Sequence, residues 1–205
     1  MLDLLLASVA LMAALSCRPW RAVGWSGPPW PWLLWCALLP WAWSSDRLVA
    51  SAVLQPLSGA SLLVLMAGWP LAMLCLVPVT LMMIGVAHVD AAEALHRMVW
   101  LGVLPGTLAM VLGAGVRRWL PHHLFVYILG RGFFATLLAT ACSGWLAWWW
   151  GDRSPLLDPA EQMIGRWLAA WGDAVLSGML ASIFVAFRPQ WLATYSDQLY
   201  LPPSR

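Results

Sequence analysis

Residues Leu48 to Ala87 read LVASAVLQPLSGASLLVLMAGWPLAMLCLVPVTLMMIGVA, forty consecutive positions without one charged side chain. A helix needs about 20 apolar residues to cross the hydrocarbon core of a bilayer, so this stretch is long enough for two crossings. The segment Ala67-Gly68-Trp69-Pro70 lies near its middle and predicts the turn between them. We therefore predict two membrane-spanning helices in this stretch.

The whole chain has the composition of an integral membrane protein. Of its 205 residues, 62% are hydrophobic and 10% are charged, and the mean hydropathy is +0.76. Soluble domains carry about 25% charged residues, and the nine acidic and eleven basic side chains of this chain cannot cover a water-exposed surface. The composition therefore excludes a soluble secreted enzyme, a nucleic-acid-binding domain and a disordered segment. It predicts membrane lipid as the surrounding medium and no nucleic acid as a partner.

Apolar runs bounded by charges, proline or glycine predict seven spans in a single transmembrane domain, residues 1–205. The predicted fold class is an all-α integral membrane protein, a polytopic bundle of about seven transmembrane helices. A six-span bundle is the alternative, because the first two runs are short. Besides the two spans in Leu48–Ala87, the predicted spans are Leu4–Leu15, Trp30–Trp43, Met98–Val116, Leu124–Trp150 and Trp167–Phe187.

Arginines determine the predicted orientation, since the chain contains no lysine, which fits a GC-rich bacterial coding bias. Seven spans place six arginines on one side and four on the other, and the positive-inside rule assigns the richer side to the cytoplasm. We expect a multi-pass protein of the bacterial inner membrane, with its N-terminus outside and a short cytoplasmic tail at residues 188–205. The inner group is Arg18, Arg21, Arg117, Arg118, Arg188 and Arg205, and the outer group is Arg47, Arg97, Arg153 and Arg166.

Two ionisable side chains fall inside predicted spans. Asp173 follows Gly172 in the seventh span, and Arg131 lies between Gly130 and Gly132 in the sixth. A charge at this depth costs about 2.5–3.5 kcal/mol on insertion scales and marks substrate pathways in membrane proteins. We predict that both residues line a substrate pathway, and a salt bridge between them requires helix tilt or a water-filled cavity. The alternative is that Arg131 extends to the interface and Asp173 forms local hydrogen bonds.

A basic patch is predicted on the cytoplasmic side. Arg117 and Arg118 end the fifth span, and His122 and His123 follow Pro121 in the next loop. Basic clusters at this position contact lipid headgroups, or they form a docking surface for another protein.

The segment from His88 to His96 forms a predicted outer loop. If this loop is helical, Glu93 and His96 lie three positions apart on one face. Transition metals accept imidazole and carboxylate ligands, so His88, Glu93 and His96 are the candidate metal ligands, although their spacing matches no established motif. A metal bound there is expected to be a substrate and not a resident cofactor. The sequence contains no phosphate loop and no paired-carboxylate motif, and we predict that the chain is not an enzyme.

The C-terminal half resembles a bacterial family in two segments. LPHHLFVYI at residues 120–128 is similar to one family segment, and GML at 178–180 with FRPQWLATY at 187–195 is similar to its closing segment; PLSGAS at 56–61 matches more weakly. These features resemble the CbiM/NikM-type permeases, the substrate-binding components of energy-coupling-factor transporters for cobalt and nickel. The resemblance implies a permease for a transition-metal ion that works with a partner membrane subunit and cytoplasmic ATPases.

The metal ligands of that family are missing here. CbiM/NikM-type proteins hold the metal through the terminal amine, a following histidine and a further histidine, whereas this chain has Leu2, Asp3 and, at the later position, Pro56. A metal in this chain would therefore need other ligands, such as Asp173, the outer-loop histidines or sulfur ligands. The alternative function is a non-transporting scaffold or accessory protein that retains the fold without the ligands.

Overall fold

The computed structural model describes residues 1–18, 30–48, 55–153, 158–196 and 200. The regular elements of these residues are all helical. Two π-helical segments, Met98–Val103 and Val126–Phe134, lead directly into α7 and α8, and a 3-10 turn at Pro189–Trp191 follows α9. The α-helices are α1 (Leu2–Ser16), α2 (Trp30–Trp43), α3 (Ser45–Leu48), α4 (Ala60–Ala67), α5 (Trp69–Ala87), α6 (Ala91–Arg97), α7 (Leu104–Trp119), α8 (Ala135–Trp149) and α9 (Pro159–Phe187).

Four helical segments of the described chain are long and apolar enough to cross a membrane: Trp69–Ala87, Ala91–Trp119, Val126–Trp149 and Pro159–Phe187. The all-helical architecture agrees with an α-helical membrane protein, and these four segments overlap the predicted spans four to seven. Helix α1 is apolar but has 15 residues, fewer than the roughly 20 of a perpendicular crossing. The count of seven spans is not confirmed by the described residues.

The predicted third span, in the first half of Leu48–Ala87, is interrupted. Residues 55–59 are not helical, and the helix that follows them, α4, has eight residues. Eight residues extend about 12 Å, against a hydrocarbon core of about 30 Å. Gly68 ends α4 and precedes α5, in agreement with the predicted turn. The short helix is nevertheless buried from Ala60 through Met66, so protein surrounds it.

Helix α1 packs through small side chains. Ala7, Ala10 and Ala14 are buried and belong to the cluster that contains the core residues of α5. Small residues let helix backbones approach closely, which is how membrane helices gain packing energy. The larger residues of α1, such as Leu5 and Met12, are exposed, as expected of a surface in contact with lipid.

The π-helical segment Met98–Val103 supplies carbonyl groups to other helices. The carbonyl of Trp100 accepts a hydrogen bond from the hydroxyl of Ser143 at 2.8 Å, and the carbonyl of Leu101 accepts one from Ser58 at 2.6 Å. Single π-turns within helices are frequent at functional sites. This segment ties α8 and the residues before α4 to the centre of the bundle.

Candidate functional site

A polar cavity of about 240 Å³ opens at the end of the bundle that carries the predicted outer loops. Its apolar wall includes Pro56, Trp100 and Leu101. Ligand sites are typically concave, with apolar walls and a few convergent polar groups, and this cavity has that composition. Its ionisable lining residues come from α3, α6, the segment after α8, and α9: Asp46, Glu93, His96, Arg97, Asp152 and Arg166.

Arg97 forms one side of the cavity, and each of its N–H groups donates a hydrogen bond within the protein. It binds both oxygens of Asp46 at 2.7 Å and Glu93 Oε1 at 2.6 Å, and it also donates to the carbonyl of Trp43. With the bond from its Nε to Glu93, all five N–H groups of the guanidinium are engaged. Arg47 binds the second oxygen of Glu93 at 2.8 Å. Arg97 therefore connects α6 to α2 and α3 and has no free donor for a ligand.

Asp46 is kept ionised by this pairing. Burial by itself would raise the pKa of Asp46, but the hydrogen bonds and positive charge of Arg97 outweigh burial and hold that pKa below its ordinary value of 3.8. Hydrogen bonds and nearby opposite charges favour the charged form of a carboxyl group. The cavity therefore retains this negative charge at neutral pH.

Arg166 forms the opposite side of the cavity. The sequence placed it in an outer loop, but it lies on α9 with its side chain only 10% exposed. It donates to Asp152 Oδ2 at 2.8 Å, to the backbone carbonyl of Asp152 at 2.7 Å and to Gln55 Oε1 at 3.2 Å. Gly144 lies close to this contact, and a Cβ there would lie 3.0 Å from that Gln55 oxygen. Arg166 thus fixes the residues before α4 against α9.

His96 is oriented by an acidic residue from the first helix. Its Nδ1 lies 3.0 Å from Asp3 Oδ2, and Trp100 Nε1 donates to Asp3 Oδ1 at 3.0 Å. A carboxylate on one ring nitrogen fixes the tautomer of a histidine and leaves the other nitrogen as an acceptor. Because His96 lines the cavity and no described residue bonds its Nε2, this nitrogen is available to a ligand.

The three predicted metal ligands do not form one site. The outer loop is helical from Ala91 to Arg97, but Glu93 is occupied by Arg97 and Arg47, and His88 is not a cavity residue. Within the described ranges, no group of three or more His, Cys, Asp or Glu side chains is placed to hold a metal ion. Sequence spacing could not show this, because it does not reveal that two arginines engage Glu93.

Asp173 is buried and bound to backbone rather than to Arg131. It is 1% exposed, and its two oxygens accept the N–H groups of Ser58 at 2.9 Å and Gly59 at 3.1 Å. The ion pairs among the described residues do not join it to Arg131. Ser58 and Gly59 immediately precede α4, so Asp173 supplies a negative charge and acceptors to the N-terminal end of that helix, where both are favourable.

The backbone N–H and carbonyl groups of Ser58 and Gly59 all have hydrogen-bond partners. The Ser58 carbonyl accepts the indole N–H of Trp43 at 2.8 Å, and the Gly59 carbonyl accepts that of Trp35 at 2.9 Å. Gly59 has a φ of +62°, and a Cβ there would lie 2.7 Å from Leu39 Cδ2. The left-handed conformation and the tight packing both require glycine at this position. Asp173 does not line the cavity, but Pro56, two positions before Ser58, does.

Arg131 lies near the other end of α4. Its Nη1 donates to the backbone carbonyl of Thr194 at 3.2 Å, and its guanidinium lies 5.5 Å from the ring centroid of Tyr127. Thr194 in turn donates through its hydroxyl to the Leu65 carbonyl at 3.0 Å, in the last turn of α4. A positive charge is favourable beside a helix C-terminus. Asp173 thus binds the residues at one end of this short helix directly, and Arg131 is connected to its other end through Thr194.

The predicted basic patch is exposed and separate from the cavity. Arg117, Arg118, His122 and His123 are all exposed, and none of them lines the cavity. Trp119, between these pairs, is 81% exposed. An exposed indole beside arginines is typical of the membrane interface, in agreement with both interpretations of the patch.

Several residues of the site were missed by sequence reasoning. Asp3 was considered only as a residue near the family's metal-ligand positions and Arg166 only as an outer-loop charge, although Asp3 binds the cavity residue His96 and Arg166 lines the cavity. The occurrence of Ser58-Gly59 directly before an apolar run is a helix-start signal that would have pointed to α4. Comparison of the chain with protein-family models, with curated protein sequences and with solved structures finds no match in any of the three.

Proposed function

We propose that this chain is the substrate-binding membrane subunit of an importer of the energy-coupling-factor type, and that the polar cavity is its substrate site. The observation that carries the proposal is the cavity itself, whose ionisable lining comes from α3, α6, the segment after α8, and α9. All of these residues belong to loops and helix ends predicted to face outward. An importer requires a binding site that is open to the outside.

The short helix α4 supports the same proposal. Transporters often build their sites from interrupted helices whose ends lie at membrane depth. Here α4 begins at Ala60, four positions after Pro56, and Pro56 lies in the cavity wall. In this proposal Asp173 is a positioning residue that holds this wall, and Arg131 acts in the same way at the opposite end. Neither contacts the substrate.

The charges of the cavity favour a cation as the substrate. Asp46, Glu93 and Asp152 contribute three carboxylates to the lining and Arg97 and Arg166 two guanidinium groups, so the acidic side chains outnumber the arginines by one. All donors of Arg97 are already used, so this side offers no binding group for an anion. The free Nε2 of His96 is a ligand that cobalt and nickel accept.

A transition-metal ion is therefore the proposed substrate, with His96 as its nitrogen ligand. Because the described residues offer no three-ligand group, such an ion would keep part of its hydration shell in the cavity. Transport against a gradient would require the partner membrane subunit and cytoplasmic ATPases, since the sequence has no lysine for a phosphate loop. We place the complex in the bacterial inner membrane, with the N-terminus outside.

A scaffold function is the second candidate, and the hydrogen bonds and the burial of Asp173 favour it. Both carboxylate oxygens are used by backbone N–H groups, and the side chain is buried outside the cavity. The arginines of the cavity are paired with acids of the same chain. A protein that had lost its transport role while retaining its fold would have the same internal contacts.

Titration of the purified protein in detergent with cobalt and nickel chloride distinguishes the two functions. We expect one metal ion to bind per chain and His96→Gln to weaken binding by at least about tenfold, in line with the loss of a metal ligand or its support. His88→Gln is the matched control, because His88 does not line the cavity. Absence of binding to the folded wild-type protein, or equal binding by the two variants, would reject the cavity as a metal site and favour the scaffold.

A further inference from the structure

We infer that α4 couples the segment after α9 to the wall of the polar cavity, so that a partner acting on that segment changes the cavity. The segment consists of residues 189–196 and is called the C-terminal strap below. The inference rests on contacts at the two ends of α4 and goes beyond the proposed function, because it concerns how the two faces of the protein communicate.

The strap is packed into the bundle and not free. Leu192 and Tyr195 are buried, and Tyr195 stacks on Tyr200 and meets Tyr127 edge to face with ring centroids 5.0 Å apart. All three tyrosines of the chain therefore meet at this point. The tail that the sequence predicted as a cytoplasmic extension is, in these described residues, part of the packed structure.

The strap completes the C-terminal end of α4. The backbone N–H groups of Ala193 and Thr194 donate to the carbonyls of Met66 and Leu65 at 3.1 and 3.3 Å. The Thr194 hydroxyl adds its bond to the Leu65 carbonyl and also lies 2.9 Å from the Tyr127 hydroxyl. The last carbonyls of a helix have no partner within the helix, and in an apolar interior an unpaired carbonyl is costly. The strap therefore stabilises the C-terminal end of α4.

The other end of α4 is fixed to the cavity wall. Asp173 holds the N–H groups of Ser58 and Gly59, and Gln55 and Pro56, which lie three and two positions before Ser58, line the cavity. A displacement of α4 along its axis has to move these residues, because no more than three positions separate Gln55 from Ser58. The cavity wall and the strap are thus connected to the two ends of the buried helix α4.

Gly68 allows α4 to move without α5. Its φ is +79°, and no atom lies within 4 Å of the position that a Cβ would occupy. Glycine adopts this conformation without steric cost, and a junction of this kind absorbs a change in angle between two helices. Helix α5 can therefore stay in its packed position while α4 shifts.

The strap can be reached by a partner at the face that carries the basic patch. Trp191 and Ala193 are exposed, and the ring of His122 lies 6.1 Å from that of Tyr200, which packs on the strap. A partner subunit that binds the patch would contact the strap at the same time. Energy supplied on this face would reach the cavity through α4.

Hydrogen exchange of the whole chain in detergent tests this coupling. Thr194→Val removes the hydroxyl that binds Leu65 and Tyr127 while keeping the side-chain size. We expect hydrogen exchange to become about fivefold faster near Leu65 and also at the amides of Ser58 and Gly59. This is the effect of losing one hydrogen bond if the two ends of α4 open as one cooperative unit. Ser182→Ala is the control, because that exposed hydroxyl bonds within α9 and should leave both sites unchanged.

Coupling must act in both directions, which provides a second test. Asp173→Asn should speed exchange at the amides of Ala193 and Thr194, at the far end of α4. If Thr194→Val does not fold, Tyr127→Phe removes only the phenolic hydroxyl at the same contact and carries the same expectation. Faster exchange confined to the mutated end of α4, in variants that remain folded, would overturn the inference. That outcome would leave the proposed substrate site untouched, so the two proposals fail separately.

Discussion

The carboxylate of Asp173 and the backbone N–H of Ser58 lie 2.9 Å apart although 115 positions separate them in the chain. This contact joins the last long helix to the residues that begin α4. It accounts for a charged side chain in an apolar helix, because the two buried N–H groups that precede α4 require hydrogen-bond acceptors.

Replacement of Asp173 should destabilise the fold. Asp173→Ala leaves the N–H groups of Ser58 and Gly59 buried without acceptors, and we expect a loss of about 2–4 kcal/mol in the free energy of unfolding. Thermal or denaturant unfolding in detergent measures the effect. Asp158→Asn is the matched control, because Asp158 is exposed and makes no side-chain capping bond. Equal stability of the two variants would contradict the assigned role of Asp173.

Glycine should be required more strictly at position 59 than at position 68. Both residues have positive φ, but a Cβ on Gly59 would meet Leu39 at 2.7 Å, whereas Gly68 has open space. Gly59→Ala therefore adds a steric clash to the backbone strain and should cost about 1–3 kcal/mol more than Gly68→Ala. A comparison of their unfolding midpoints tests this difference, and a larger loss for Gly68→Ala would refute the packing described around Gly59.

The two arginines that contact Glu93 should differ in importance. Arg97 has a side chain only 12% exposed and bonds to two carboxylates, whereas the Arg47 side chain is 55% exposed. We expect Arg97→Gln to lower the free energy of unfolding by about 2–4 kcal/mol, because it leaves acidic groups unpaired in a partly buried site. Arg47→Gln should cost less than about 1 kcal/mol. Similar losses in both variants would show that Arg97 does not organise this end of the bundle.

The stability of the protein should depend on the ionisation of Asp46 in acid. Its pKa in the folded state lies below the ordinary 3.8, so its contribution is complete above that pH and disappears as the pH falls through the lower folded value. Asp46→Asn should therefore be less stable than the wild type at neutral pH, and the difference should shrink below about pH 4. Unfolding midpoints across pH 3 to 7 provide the test, and a difference that grows in acid would contradict it.

The sequence predicted the long helices better than the site. Charge-free runs such as that in α5 predict a span directly from hydropathy, and the rarity of charge in a span drew attention to Asp173 and Arg131. Their partners were not predictable, because Asp173 binds backbone N–H groups and Arg131 a backbone carbonyl, and neither leaves a residue pattern. The same limitation applies to α4: its surroundings are apolar protein, so hydropathy could not distinguish a buried half-length helix from a span.

The cavity was missed for a different reason. Its two arginines, Arg97 and Arg166, were counted as loop charges in assigning the orientation, and the pairing of Arg166 with Asp152 and Gln55 depends on the packing of α9 against the rest of the bundle. Charge pairs between distant segments have no spacing rule in a single sequence. Asp3 and His96 are a further example, separated by 93 positions.

The metal content of the protein purified in mild detergent without chelator is the most direct measurement of the proposed function. Elemental analysis of the wild type and of His88→Gln should find cobalt, nickel or another transition metal at about one ion per chain. The amount in His96→Gln should be strongly reduced, because that variant loses a metal ligand. A folded wild-type protein that carries no transition metal and takes none up on addition of cobalt or nickel would contradict the account and favour the scaffold function.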